Sequence, residues 1–275
     1  LGSEACAVDA VDEAVYQGFL HYKRLRQPEY FATWMTRILI NACNAELRRR
    51  KRENAAQYPL VTACLAAADR LLAPARAMWE EPRCRRDLEE LAGCLALTAL
   101  RPSGRQGRVR RRFLSAVTPE GLSFCTETAA AVCGRVYVLE DSYGLAPALL
   151  QRVLEQALQL GQTCLACYTP LQPDGAPAHL LVPGAGAAFV ASSPDFPYAG
   201  ERCCTLELDG TLPPAARSTL RFARDTAGTL LRKAAEHVRE AKRIHDELEA
   251  LCRPYVDFAA ADALTERTLH ELFPA

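Results

Sequence analysis

The feature that most constrains this chain is a single change in the spacing of its apolar residues. Between residues 10 and 100 they recur at every third or fourth position. Beyond Arg112 they gather into short unbroken runs separated by glycine, proline and charge. The first spacing places one face of a helix inside. The second suits strands buried on both faces, as in a sheet covered by helices. The chain is therefore expected to be an α/β protein preceded by an all-helical module.

Ala14, Val15, Phe19 and Tyr22 mark a first helix. After a break at Gln27-Pro28, a second carries Phe31, Trp34, Ile38 and the apolar residues of 40–47. That second helix is expected to end in the basic run Arg48-Arg49-Arg50-Lys51-Arg52, where cations complement the C-terminal end of the macrodipole. Residues 60–72 and 83–100 read as further helices, and the basic, glycine-punctuated stretch 101–112 as a linker. Then a strand at 135–139, a helix at 146–160 and a strand at 163–168 form a βαβ unit. Apolar runs at 179–182 and 187–190 are two more buried strands, and 206–208 is a last short one. A long helix is expected over 214–251 and a closing one over 260–273. These elements predict three parts: a helical module at 1–58, a helical connector and linker at 59–111, and an α/β domain at 112–275.

Charge narrows the function. Among 275 residues, 33 basic side chains balance 33 acidic ones, which gives no reason to expect bulk attraction to nucleic acid or a membrane surface and rules out a wholly basic DNA-coating protein. There is no run of eighteen apolar residues to span a bilayer. The chain opens Leu1-Gly2-Ser3-Glu4, without an initiator Met or a leader, which reads as a cytoplasmic fragment. Twelve cysteines are scattered among Ala, Leu and Val, as at Cys43, Cys64, Cys94, Cys125 and Cys133, and are expected to be small buried hydrophobes. The pair Cys164-Leu165-Ala166-Cys167 falls in a strand, so its thiols should face opposite sides. No second pair lies at zinc spacing. His21, His179, His237, His245 and His270 are dispersed and read as satisfied surface histidines.

The stretch Asp9-Ala10-Val11-Asp12-Glu13-Ala14 through Pro28-Glu29-Tyr30-Phe31-Ala32-Thr33-Trp34-Met35-Thr36-Arg37-Ile38-Leu39-Ile40-Asn41 resembles region 2 of extracytoplasmic-function sigma-70 factors. The resemblance runs without gaps over roughly the first fifty residues. It implies that Asp9, Asp12, Glu13 and Phe19 face the RNA polymerase core. It further implies that Tyr30, Phe31, Trp34, Arg37, Arg48, Arg49, Arg50, Lys51 and Arg52 meet the opened −10 strand of promoter DNA. Melted DNA is held by aromatic faces for its bases and cations for its phosphates, and the second helix supplies both. Asp12 stands where the family usually has Gln, and no helix-turn-helix of sigma region 4 follows between Arg52 and Arg101.

From about Arg112 onward the chain resembles one half of a bacterial paired-repeat P-loop ATPase family. The matching stretches are Arg112-Phe113-Leu114-Ser115-Ala116-Val117-Thr118-Pro119-Glu120-Gly121, Arg135-Val136-Tyr137-Val138-Leu139 and Glu240-Ala241-Lys242-Arg243-Ile244-His245-Asp246-Glu247-Leu248-Glu249. The resemblance implies a P-loop-like α/β fold. A phosphate loop needs glycines for close approach, a Lys for the β/γ-phosphates and a Ser or Thr for Mg²⁺. The loop here is Glu140-Asp141-Ser142-Tyr143-Gly144-Leu145-Ala146-Pro147-Ala148, and no Lys occurs between Lys51 and Lys233. Gly144 is left as a vestige of cofactor binding, and the helix start near Ala146 as a weak anion attractor. The expectation is a non-hydrolytic domain with no cofactor, metal or catalysis of its own, joined to a sigma-like segment that binds polymerase and promoter DNA. The alternative is an ATPase-family protein with an inactive half, in which the sigma-like segment has no role.

Overall fold

A computed structural model describes residues 4–25, 27, 30–79, 81–252 and 258–272. The chain is mixed α/β, with a helical N-terminal region followed by a mixed sheet and its helices. It forms two compact units, one of Leu1–Gln57 with Glu240–Ala275 and one of Tyr58–Arg239. Two helices, α2 (Phe31–Met78) and α6 (Pro214–Cys252), contribute residues to both.

The larger unit is organised by six strands: β1 (Arg108–Phe113), β4 (Arg135–Glu140), β5 (Thr163–Tyr168), β6 (His179–Val182), β7 (Ala187–Ser192) and β8 (Cys204–Glu207). Their order is β1-β5-β6-β7-β4-β8. β1 runs parallel to β5, and β4 runs parallel to both β7 and β8. β6 is antiparallel to its two neighbours. The strands expected at 135–139 and 163–168 do flank a helix, α5 (Ala146–Gln159), but they are not adjacent. The β6–β7 hairpin lies between them.

Period-two alternation sends the strand side chains to two cores. Tyr137, Leu139, Leu180, Val182 and Phe189 pack on one face beneath α5 and α3 (Pro82–Ala99). Val136, Val138, Leu181, Ala188 and Val190 pack on the other, with Ala129 and Cys133 from around α4 (Thr126–Val132). Tyr137 and Phe189 are directly paired across β4 and β7, and their rings stack at 5.2 Å. A sheet buried on both faces explains why its strands read as continuous apolar runs. A separate antiparallel hairpin, β2 (Ser115–Thr118) with β3 (Gly121–Phe124), was not visible in the periodicity.

Two expectations require correction. Residues 108–113 are not linker but the edge strand β1, every side chain of which is exposed. Arginine at four of its six positions charges that edge against further strand addition. Ahead of it, residues 101–107 are clamped to the end of α5. The Ser103 amide donates to Leu160 O at 2.9 Å, and Gln162 Nε2 donates to Arg101 O at 2.6 Å. Gly161, at φ +73°, sits there because a Cβ would fall 2.0 Å from Arg105 O.

The basic run does not end a helix either. α2 continues for 48 residues through 48–52 and through 60–72, with Pro59 and Pro74 in its interior. It contains no glycine to stop it, and the cations are offset by carboxylates one turn away. Arg49 pairs with Glu46 and Glu53, and Arg50 with Glu46. In the same unit, α1 (Glu4–His21) precedes α2, and α7 (Phe258–Leu272) closes the described chain. Among the described residues no helix is long and apolar enough to cross a membrane.

Candidate functional site

In the smaller unit, α1 buries its small residues and exposes its large ones. Ala10, Ala14 and Gly18, spaced by four, are buried, and a Cβ on Gly18 would meet Met35 Sδ at 2.8 Å. At Gly18 the missing side chain leaves room for the Met35 thioether of α2. On the other face Val8, Asp12, Val15 and Phe19 are exposed at helical spacing, with Tyr16 and Leu20 beside them. Phe19 is 72% accessible and Val15 57%. Of the residues expected to face polymerase, Asp12 and Phe19 thus share the outer face. Asp9 and Glu13 are also exposed but line a groove of about 630 Å³ whose α2 wall includes Arg49 and Arg52.

Along α2, Trp34, Arg37, Asn41, Arg48 and Arg52 follow at spacings of three, four, seven and four, which keeps them on one helical face. Arg37, Asn41, Arg48 and Arg52 are exposed and Trp34 is half-buried. Tyr30 and Phe31 are exposed at the helix start, with the Phe31 and Trp34 rings 6.1 Å apart. From Phe31 to Arg48 the helix rises about 26 Å, so the aromatics stand at one end of the stripe and Arg48 and Arg52 at the other. Lys51 is exposed as well.

Arg50 departs from the expected DNA set. It lies on the opposite face, buried, with Nε donating to Glu46 at 2.9 Å and a terminal nitrogen to Glu247 at 2.8 Å. Its guanidinium is spent inside the protein. Arg49 is exposed but held by carboxylates on both sides. The Arg49 hydrogen bond leads the causes that hold the Glu46 carboxyl down at about 2.

In the larger unit, the loop after β4 does what a phosphate loop would do, but for an anion of its own. One Asp141 carboxylate oxygen accepts from the amides of Tyr143 (3.2 Å) and Leu145 (2.8 Å), and the other from Ala146 (2.7 Å). Asp209 accepts the Ser142 amide at 2.9 Å. Gly144 supplies the turn at φ +77°. Burial pushes the Asp141 carboxyl up from its ordinary range, and the three amides pull it back. The anion attraction expected at the start of α5 is therefore answered internally. The role of Asp141 as the occupant of those amides was not legible in the sequence and needed the loop geometry.

Cys164 and Cys167 lie in opposite cores of the sheet, as their strand spacing requires, and burial pushes both thiols up to about 12. Cys133 is also buried, whereas Cys94 and Cys125 are exposed, contrary to expectation. Cys94 points away from the Leu91, Ala92, Leu95 face of α3 that packs on the core. His179 is a further correction: it is fully interior, not on the surface. Among the described residues no three His, Cys, Asp or Glu groups cluster as a metal site. No family model, curated protein or solved structure matches the chain.

Proposed function

We infer that this protein binds the bacterial transcription apparatus through the outer face of α1. The observation that supports the reading is the inverted packing of that helix. Ala10, Ala14 and Gly18 are inside, while Val8, Val15, Tyr16 and Phe19 surround Asp12 in solvent. Holding large apolar side chains in water is unfavourable by about 1.5–3 kcal/mol each relative to burial, so such a contiguous face suits a partner. The sequence resemblance to sigma region 2 names the partner as RNA polymerase core. The stripe of α2 from Tyr30, Phe31 and Trp34 through Arg37 to Arg48, Lys51 and Arg52 then meets promoter −10 DNA. Arg50 acts structurally. The α/β unit serves as a non-hydrolytic appendage. The ATPase reading is disfavoured because Asp141 holds the amides a nucleotide phosphate would need.

The test is competitive capture of bacterial core RNA polymerase by the full chain, with a housekeeping sigma factor as competitor. Capture should fall at least tenfold on Val15→Ser/Phe19→Ser and on Asp12→Lys/Glu13→Lys. Absence of capture by the unaltered chain, or capture indifferent to both pairs, overturns the reading.

A further inference from the structure

The chain's acidic and basic residues balance overall, but not at the end of the sheet opposite the Gly144 loop. A groove of about 900 Å³ lies there, at the amino ends of β4 and β5. Arg101, Arg105, Arg110 and Arg135 line it, and all four are exposed. Among the described residues around it there is no Asp or Glu. None of the four is paired with a described carboxylate, whereas Arg76, Arg111, Arg152, Arg202, Arg224 and Arg232 of the same unit all are.

Ordered structure brings these cations together. A terminal nitrogen of Arg101 donates to Leu97 O at 2.7 Å and to Leu100 O at 2.6 Å. One of Arg135 donates to Ala99 O at 3.1 Å and to Ala185 O at 2.8 Å. The carbonyls of Leu97, Ala99 and Leu100 stand at the end of α3, so these two guanidiniums share one helix end. Arg105 follows on the clamped segment, where Ser103 Oγ donates to Gly161 O at 2.5 Å and accepts the Arg105 amide at 3.2 Å. Arg110 lies in register with Leu165 across β1 and β5, and Leu165 also lines the groove. The carbonyl end of a helix counts as about half a negative charge, so four guanidiniums against it leave an excess of about three and a half positive charges.

Guanidinium forks match phosphate oxygens two at a time, and an excess of this size calls for a ligand with several charges on a short frame. A linear triphosphate carries about four at neutral pH. The described lining residues include no Phe, Tyr or Trp, so the groove lacks the stacking faces that hold single-stranded nucleic acid. We propose that this groove binds a short oligophosphate, gripped by Arg105 and Arg110 and by the remaining N–H groups of Arg101 and Arg135. The site lies at the opposite end of the sheet from the amides that Asp141 occupies, and it is independent of the polymerase reading.

The experiment is calorimetric titration of the full chain with sodium tripolyphosphate at physiological ionic strength. One saturable site is expected, with a Kd of about 10–100 μM. Orthophosphate should bind at least about a hundredfold more weakly and citrate at least about tenfold, since each offers the four forks fewer charges. Arg105→Gln/Arg110→Gln should weaken tripolyphosphate at least about tenfold with an unchanged melting temperature, because neither side chain is hydrogen-bonded within the described chain. Arg86→Gln/Arg221→Gln removes the same charge from exposed positions of the same unit outside the groove, and should change the affinity less than about twofold. No saturable heat, citrate binding as tight as tripolyphosphate, undiminished binding in the groove pair, or an equal loss in both pairs overturns the proposal. So does an oligothymidylate that displaces tripolyphosphate at a lower phosphate concentration, which would make the groove a track for nucleic acid.

Discussion

Phe189 and Phe19 have the same side chain and opposite surroundings. In the larger unit Phe189 is wholly buried beneath α5, stacked on Tyr137 and flanked by Leu139, Leu180 and Val182. In the smaller unit Phe19 stands 72% accessible on α1, while the buried positions of that helix are Ala10, Ala14 and Gly18. One unit uses its bulk to close a core. The other closes a helical contact with small residues and leaves its bulk outside. An apolar surface retained in this way carries information about a partner that a core does not.

The comparison breaks most sharply at Phe189. Phe189→Ala should destabilise the larger unit by about 3–5 kcal/mol, because the sheet closes on both faces and cannot collapse around the hole. Urea unfolding followed by circular dichroism checks it, and a cost below about 1 kcal/mol would mean that this core is not closed.

Acid distinguishes the units next. Burial pushes His179 from an ordinary 6.5 down to about 3. Between those values the unfolded chain takes up a proton that the folded chain refuses. Stability therefore falls as pH drops through this window, by at most about 1.4 kcal/mol per pH unit from this group. Burial also pushes the Asp141 and Asp195 carboxyls up from their ordinary range, so the informative quantity is the difference between the natural chain and His179→Phe. The natural chain should lose stability more steeply between pH 6 and 4. Parallel profiles would place a proton on the folded-state imidazole.

A smaller effect is expected at Asp141. Asp141→Ala leaves the amides of Tyr143, Leu145 and Ala146 without their acceptor and should cost about 1–3 kcal/mol by urea unfolding. Added inorganic phosphate should recover part of that loss in the variant and leave the natural chain unchanged. Recovery in both would show that the amides are open to phosphate before the carboxylate is removed.

Legibility in the sequence followed the same division. The strands at 135–140, 163–168, 179–182 and 187–192 were readable because burial on both faces forces unbroken apolar runs. The hairpin at 115–124 was not, since its residues are mostly half-buried and give no period. The Arg108–Phe113 strand hid behind its own edge protection, and its arginines read as linker. The uninterrupted α2 was missed because a basic run looks like a helix end unless the carboxylates at 46 and 53 are counted with it. Of the candidate residues, Phe19 and Asp12 share one face because they are seven apart, but the exposure of that face was not legible, since the apolar spacing of Val15, Phe19 and Tyr22 put it inside. The inward turn of Arg50 was not legible either, because Glu247 is distant in sequence. His179 was misplaced on the surface because a lone histidine beside an apolar run carries no sign of its side.

The smallest stability effect is the most discriminating for function. Phe19→Ala removes the same ring as Phe189→Ala, but from a site where water already surrounds most of it. Its cost in urea unfolding should stay within about 0.5 kcal/mol. If α1 docks on polymerase, the same substitution removes an aromatic anchor from the contact and should weaken capture of the core enzyme by at least about tenfold, since anchors of this kind cost 2 kcal/mol or more when truncated. Val8→Ala, at the edge of the same face, should weaken it less. A loss of stability at Phe19 comparable to that at Phe189 would show that the ring is covered within the chain itself. Unchanged stability with unchanged capture would detach the exposed face from polymerase. Unchanged stability with lost capture is the one combination that a binding face, and not a core, produces.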